Sequence, residues 1–132
     1  MKNYLQTPMI KKLYGVVFAL AEDEEYDDMA HVWVCDAETA YWFSLSRGIE
    51  SDTIEVMVSD QLNYYDDVSV TLSATGILAK LSKSAASALD GHHEYAIEFH
   101  PDSQDIDFIR EALKVIFRGK PGLLLDTSLA LP

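Results

Sequence analysis

The sequence has a single cysteine, few basic residues and no long hydrophobic run. Because Cys35 has no second cysteine to pair with, an internal disulfide is excluded and a reducing cytoplasm is the expected compartment. The longest apolar run, residues 13–21, is too short to cross a bilayer. Its short length and its glycine also favour a first β-strand over a secretory signal peptide. We therefore expect a soluble cytoplasmic protein.

Recognisable catalytic and cofactor motifs are also missing from the sequence. The 132 residues contain no Walker lysine loop, G-x-G-x-x-G, G-x-S-x-G, H-E-x-x-H or C-x-x-C. The acidic run at residues 22–28 does not fit an EF-hand loop, because Asp28 would occupy the position that requires glycine. We therefore predict no catalysis, no cofactor and no bound metal, and a protein that acts by binding.

Negative charge is what the chain has in excess, and this charge is regional. The formal net charge is −12, and residues 22–67 contain 14 Asp and Glu against Arg47 alone, which gives that segment −13. Such a surface repels nucleic-acid backbones and anionic membranes and attracts basic proteins. We predict a basic protein partner, no nucleic acid and no membrane. The alternative, in which the acidic surface only confers solubility, stays open.

Size and composition predict one domain over residues 1–132, with residues 120–132 as a loosely packed tail. Folding at this length buries roughly two thirds of the unfolded surface, which is enough for a core. Val68, Val70 and Leu72 alternate with Ser69 and Thr71, a pattern typical of an antiparallel meander with one wet face. Runs rich in β-branched and aromatic residues predict strands at residues 13–20, 30–35, 39–45, 53–58 and 68–72.

The stretch from residue 74 to residue 89 is compatible with one helix or with a strand and a short helix. Thr75 and Gly76 suit a hairpin turn, which favours a strand at residues 77–81 and then a helix capped by Ser82 or Ser84. Another alternating strand follows at residues 95–99.

The final helix is the clearest predicted element. It begins at a cap on Asp102 or Ser103, ends at Gly119 and carries one apolar stripe, formed by Ile106, Ile109, Leu113, Ile116 and Phe117. The expected fold class is α+β: an antiparallel β-sheet of about six to seven strands with a short helix and a packed C-terminal helix.

Large aromatic residues among acidic ones predict a patch that binds protein. Tyr26 lies inside the acidic run, and Tyr64 and Tyr65 precede two aspartates in a predicted loop. The alternative is that the loop tyrosines fold back onto the edge of the sheet. The predicted partner-binding residues are Glu22, Asp23, Glu24, Glu25, Tyr26, Asp27, Asp28, Tyr64, Tyr65, Asp66 and Asp67.

Two other functions remain as alternatives. One is a metal- or small-molecule-binding enzyme that uses the region from His92 to His100, where Glu98 and His100 would lie about 7 Å apart on one strand face. No third ligand can be named, so a polar turn and a solvated strand face are preferred. Cys35 is expected to be a small buried apolar residue. The other alternative is a self-associating scaffold, such as a homodimer.

Several landmarks follow one another in a recognisable order. A strand runs into an acidic turn, Phe18-Ala-Leu-Ala-Glu-Asp-Glu-Glu25, and another ends Val58-Ser-Asp-Gln61. Lys83-Ser-Ala-Ala-Ser-Ala-Leu89 precedes Glu94-Tyr-Ala-Ile-Glu-Phe99, and the last helix ends Ala112-Leu-Lys-Val-Ile-Phe117. Over about residues 14–117 the chain thereby resembles the immunity protein 10 family of bacterial polymorphic toxin systems. The resemblance implies a protein without catalytic residues that binds and neutralises a cognate toxin encoded beside it, by steric and electrostatic occlusion.

Overall fold

The computed structural model describes residues 10–21, 29–48, 51–59 and 62–125. These residues form an α+β fold in which one mixed sheet of nine strands packs against two helices. The helices are α1 (Lys83–Ala88) and α2 (Ile106–Ile116). The strands are β1 (Ile10–Leu20), β2 (Ala30–Asp36), β3 (Trp42–Arg47), β4 (Glu55–Val58), β5 (Leu62–Tyr65), β6 (Val68–Leu72), β7 (Gly76–Leu81), β8 (Glu94–Phe99) and β9 (Leu123–Leu125).

The sheet corrects two sequence predictions. Its order is β5-β4-β3-β2-β1-β8-β7-β6-β9, with nine strands instead of six to seven. The extra strands are β5, in the predicted loop, and β9, in the predicted loose tail, of which residues 126–132 lie outside the described residues. The sheet is also not purely antiparallel, because β1 pairs with β8 and β6 pairs with β9 in parallel. Local alternation has no signal for pairings between segments so far apart in the chain.

The sheet must curve strongly. Only Asp66 and Asp67 separate β5, which lies at one edge, from β6, which lies beside the opposite edge strand. Two residues extend about 7 Å at most, so the β5 edge has to come close to β6 although the two strands are not hydrogen-bonded. Helix α1 contacts both β5 and β7, which is consistent with a sheet curled around its helices.

The inner, concave face of the sheet is the core. The strand register aligns inward-facing apolar residues from strand to strand, such as Val17, Val34 and Phe43. Helix α2 covers this face over β1, β2 and β3. Its stripe is confirmed, since Ile109 and Leu113 are fully buried. A continuous apolar core therefore connects the sheet to α2.

The helix ends show where local signals succeed and where they fail. Ser82 caps α1 by accepting the N–H of Ala85, which confirms the division of residues 74–89 into a strand and a short helix. The cap of α2, however, is Asp105, which accepts the N–H of Asp107 at 2.8 Å. Ser103, one of the two predicted caps, instead accepts the N–H of Val17 at 2.9 Å.

The end of α2 also differs from the prediction, because the helix stops at Ile116, before Gly119.

Ser103 bonds to β1 instead of capping α2 because β8 ends at Phe99, whereas β1 continues to Leu20. The backbone of β1 beyond Gly15 needs other partners, and the segment after β8 provides them.

Candidate protein-binding site

The structure describes only part of the predicted acidic patch. Glu22, Asp23, Glu24, Glu25, Tyr26, Asp27 and Asp28 lie outside the described residues. Their neighbours in the chain are the end of β1 and the start of β2, which pair with each other from Leu20↔His31 onward. The acidic run is therefore the connection of the β1–β2 hairpin.

Tyr64 and Tyr65 lie in strand β5 and not in a loop, which corrects the prediction and separates the two side chains. Successive strand residues point to opposite faces. Tyr64 pairs with Val56 and packs against the core. Tyr65 pairs with Glu55 on the outer face and is 57% exposed. Only Tyr65 is available to a partner as a surface anchor.

The two aspartates that follow β5 already contact the rest of the chain. The Oδ2 atom of Asp66 accepts the hydroxyl of Ser82, the residue that caps α1, at 2.5 Å. Asp67 forms an ion pair with Lys120 at 2.6 Å. These contacts brace the β5–β6 connection, although the Asp67 side chain remains 70% exposed. A partner would therefore compete with internal contacts at both carboxylates.

The outer face of β1–β4 presents an exposed aromatic surface that the sequence analysis did not identify as a site. Phe18 and Trp33 pair across β1 and β2 and stack with ring centroids 5.4 Å apart. The ring of His31 lies 4.6 Å from Trp33. Trp42 lies on the same face of β3 and is 39% exposed. We call Phe18, His31, Trp33 and Trp42 the aromatic face.

Apolar residues extend the aromatic face, and no described cation interrupts it. Val16, Leu20 and Met57 point to the same side of the sheet. Both helices pack against the opposite, inward-facing residues. Among the described residues, the outward positions of β2–β5 include the carboxylate of Glu55 but no lysine or arginine. On β1 the exposed Lys12 lies on the same side, towards the opposite end of the strand from Phe18. A large uncovered apolar surface with an acidic margin is typical of an interaction site.

Cys35 also points outward here and is exposed, so the expectation of a buried cysteine is wrong. The physical reason is strand parity. Val32 and Val34 occupy the inward positions of β2, which places the odd-numbered residues His31, Trp33 and Cys35 on the outer face.

Electrostatics at the aromatic face favour a neutral histidine. Burial lowers the pKa of His31, and the negative charge of Glu55 opposes this effect without reversing it. Glu55 reaches His31 across the serine of β3, because the register runs His31↔Ser46↔Glu55. Around His31 the charge at neutral pH is therefore set by Glu55.

The alternative metal region gains no ligand set from the described residues. His100 lies just beyond β8; its Nδ1 accepts the N–H of Asp102 at 2.9 Å, and its ring packs 5.6 Å from that of Tyr14. In the described ranges, no three His, Cys, Asp or Glu side chains are grouped closely enough to hold a metal ion. A shallow depression of about 850 Å³ lies over β1, β8 and β7, with Lys12 and Glu98 in its lining.

Another cluster of titratable groups lies at the border of the core, where Tyr95 is buried and Tyr41 and Asp90 are half-buried. The hydroxyl of Tyr95 donates to Oδ1 of Asp90 at 2.7 Å, and the hydroxyl of Tyr41 bonds to Oδ2 of the same carboxylate. Burial raises the pKa of Tyr95 strongly, and its hydrogen bonds with Tyr41 and Asp90 raise it further. The phenol therefore stays protonated and serves as a structural donor that ties the turn after α1 to β8.

The sequence did contain a signal for the aromatic face. In β1 and β2 the apolar residues are nearly continuous, so both faces of these strands are apolar. Such runs indicate either strands covered on both sides or strands with one exposed apolar face. The choice depends on whether anything covers the second face, and this is a tertiary property.

Comparisons with known proteins add no family. No protein-family model, no curated protein and no solved structure matches the chain. Neither described helix is long and apolar enough to cross a membrane.

Proposed function

We propose that this chain is an immunity-type protein that binds a basic partner protein, a cognate toxin, and neutralises it by covering its working surface. The observation that carries the proposal is the aromatic face. On the outer sheet surface the exposed Phe18 stacks on the half-buried Trp33, and the hairpin that bears them is connected by six carboxylates in seven residues. Aromatic anchors beside such charge suit a protein interface.

The charge argues for a basic partner over a second copy of this chain. Two copies would each bring a net charge of −12 to the interface. Like charges placed opposite one another oppose association, whereas a basic surface is attracted and steered to the acidic hairpin. A homodimer through the aromatic face is the competing outcome, and a measurement of mass in solution distinguishes the two.

The toxin class rests on the resemblance to the immunity protein 10 family. A binding protein of this kind needs no catalytic groups, because occlusion depends on shape and charge. The proposal therefore does not require the His92 to His100 region, and His93→Ala or His100→Ala should leave protection intact. Stoichiometric zinc or manganese in the purified protein would favour the enzyme alternative.

The proposal is tested with the product of the gene next to that of this chain. Co-expression should protect cells from this product, and purified proteins should associate in a salt-dependent manner. Replacing Glu24, Glu25, Asp27 and Asp28 with amides should slow association by about tenfold at low salt and flatten its salt dependence. If these carboxylates act on association alone, the free energy of unfolding should hardly change.

The aromatic face is tested separately by Phe18→Ala, which should raise the dissociation rate because it removes a contact that excludes water. Phe108→Ala is the matched control, since Phe108 is 63% exposed on α2, away from this face. If the amide variant and the Phe18 variant both bind and protect like the parent, the acidic hairpin serves solubility only and the proposed site is wrong.

A further inference from the structure

The neighbours of Trp33 on the outer face leave one side of its indole next to small residues. Phe18 stacks on the β1 side and His31 lies beside it along β2. On the β3 side, the register places Ser44 directly opposite Trp33 and Ser46 opposite His31. Serine side chains are short and both serines are buried, so the taller side chains of β2 and β4 cover β3 between them.

On β4, Met57 pairs with Ser44 and Glu55 pairs with Ser46. Adjacent strands are about 4.8 Å apart, so the backbones of β2 and β4 are separated by about 10 Å. An indole and a carboxylate thus flank a strand of serines on an otherwise apolar surface.

Within the described part of the chain, the carboxylate of Glu55 is hydrogen-bonded by neutral groups only. Its Oε2 accepts the amide of Asn63 at 2.7 Å, and its Oε1 lies 3.4 Å from the hydroxyl of Ser46. These donors fix the direction of the carboxylate without neutralising its charge. Carboxylate oxygens can accept further hydrogen bonds, and a guanidinium provides two in parallel.

We propose that the partner contacts this face with an arginine whose guanidinium lies against the indole of Trp33 and pairs with Glu55. The inference rests on the proposed function and names the chemistry of its contact residue. A planar, weakly hydrated guanidinium stacks on an aromatic ring while its edge donates to a carboxylate. An ammonium is a compact, strongly hydrated point charge and cannot stack on the ring in this way.

The neutral state of His31 supports a cation at this position. Burial keeps the pKa of His31 below its ordinary value, so the imidazole does not repel a guanidinium at neutral pH. The charged or titratable groups that the register places nearest to it are Glu55 and, beyond it on the same row, Tyr65.

The test uses a short capped glycine–serine peptide that carries arginines, and its twin with lysines at the same positions. Binding to the full chain is followed by the indole N–H resonances of Trp33 and Trp42, which report on two positions of the aromatic face. The arginine peptide should bind on the order of two- to fivefold more tightly, as an exposed cation–π contact allows, and should shift the Trp33 resonance more. Glu55→Gln should remove most of this preference.

Equal binding of the two peptides, or a preference that survives both Glu55→Gln and Trp33→Leu in folded protein, would overturn the inference. Phe108→Ala should bind the arginine peptide like the parent. Two results distinguish failure of this inference from failure of the proposed function. If the neighbouring gene product binds and the Glu55→Gln and Trp33→Leu variants bind it like the parent, only the arginine contact is wrong. If that product never binds while the peptide preference holds, only the toxin proposal is wrong.

Discussion

The buried Arg47 donates from its Nη1 to the carbonyl oxygens of Ile116 at 3.0 Å and of Arg118 at 2.5 Å, at the end of α2. Its Nε donates to the carbonyl of Ser51 at 2.8 Å. The last carbonyls of a helix lack partners within the helix and carry partial negative charge. The only base in the acidic segment is therefore used to satisfy a helix end and to fix α2 on β3.

Arg47→Lys should destabilise the fold by about 1.5–3 kcal/mol, because one ammonium cannot replace a fork that reaches three carbonyls, and hydrogen bonds from charged donors are among the stronger ones. Arg110→Lys is the matched control, since Arg110 forms an i,i+3 pair with Asp107 on the helix surface, and this change should cost about 0.5 kcal/mol or less. Urea denaturation measures both. Similar midpoints for the two variants would show that Arg47 does not secure α2.

Asp36 should make stability depend on acid. Burial raises the pKa of its carboxyl. Hydrogen bonds from the Tyr14 N–H and from the Thr39 hydroxyl and N–H lower this pKa by more than burial raises it, so the net pKa lies below the ordinary value. A lowered folded pKa means that the stabilisation is present above the unfolded pKa of about 3.9 and is lost as the pH falls through the folded value.

Asp36→Asn should consequently destabilise the protein by about 1–3 kcal/mol at neutral pH, because an amide offers one acceptor oxygen where the carboxylate offers two. The difference from the parent should shrink below about pH 4. Thermal unfolding across the acid range measures this. A constant difference at every pH would mean that the carboxylate charge does not matter.

Leu113→Ala should cost about 2–5 kcal/mol, as large-to-small changes in a core do. Leu113 is fully buried between α2 and the sheet. Phe108→Ala, on the exposed side of the same helix, should change stability by about 0.5 kcal/mol or less. Chemical denaturation of the pair decides whether the stripe has been assigned to the correct face, since equal losses would contradict it.

Alanine substitutions at Tyr64 and Tyr65 should have different effects, the first on stability and the second on binding. Tyr64→Ala removes a side chain packed on the core and should destabilise by about 1–3 kcal/mol, less than for a fully buried aromatic. Tyr65→Ala should leave stability nearly unchanged and raise the dissociation rate of the partner complex. Denaturation and binding kinetics on the same two proteins measure the split; loss of stability in Tyr65→Ala would place its ring in the core.

Among the fold elements, those with a local cause could be predicted. The capping hydroxyl of Ser82 and the stripe through Ile109 and Leu113 are contained within one turn or a few, so a single sequence shows them. The strand β5 escaped because Tyr64 and Tyr65 stand beside two aspartates, which are typical of loops. The strand β9 escaped because three leucines after a proline and a glycine have no period to read.

Part of the candidate site could likewise be predicted from the sequence and part could not. The concentration of acid at residues 22–28 is a property of the sequence itself. The stacking of Phe18 on Trp33 and the position of Glu55 beyond the serines of β3 depend on the register of four strands. Trp33 was not among the predicted site residues, because no local pattern shows which face of a strand other elements cover.

The sequence by itself determined the α+β class, the helix stripe and the regional charge, since each follows from neighbours within a few residues. It favoured but did not determine the division of residues 74–89 into a strand and a short helix. Only the tertiary structure decided that β1 pairs in parallel with β8, that Arg47 closes the end of α2 and that none of the described helices covers the aromatic face. These features arise when segments distant in the chain meet, and a sheet that curls around its helices buries one face and exposes the other.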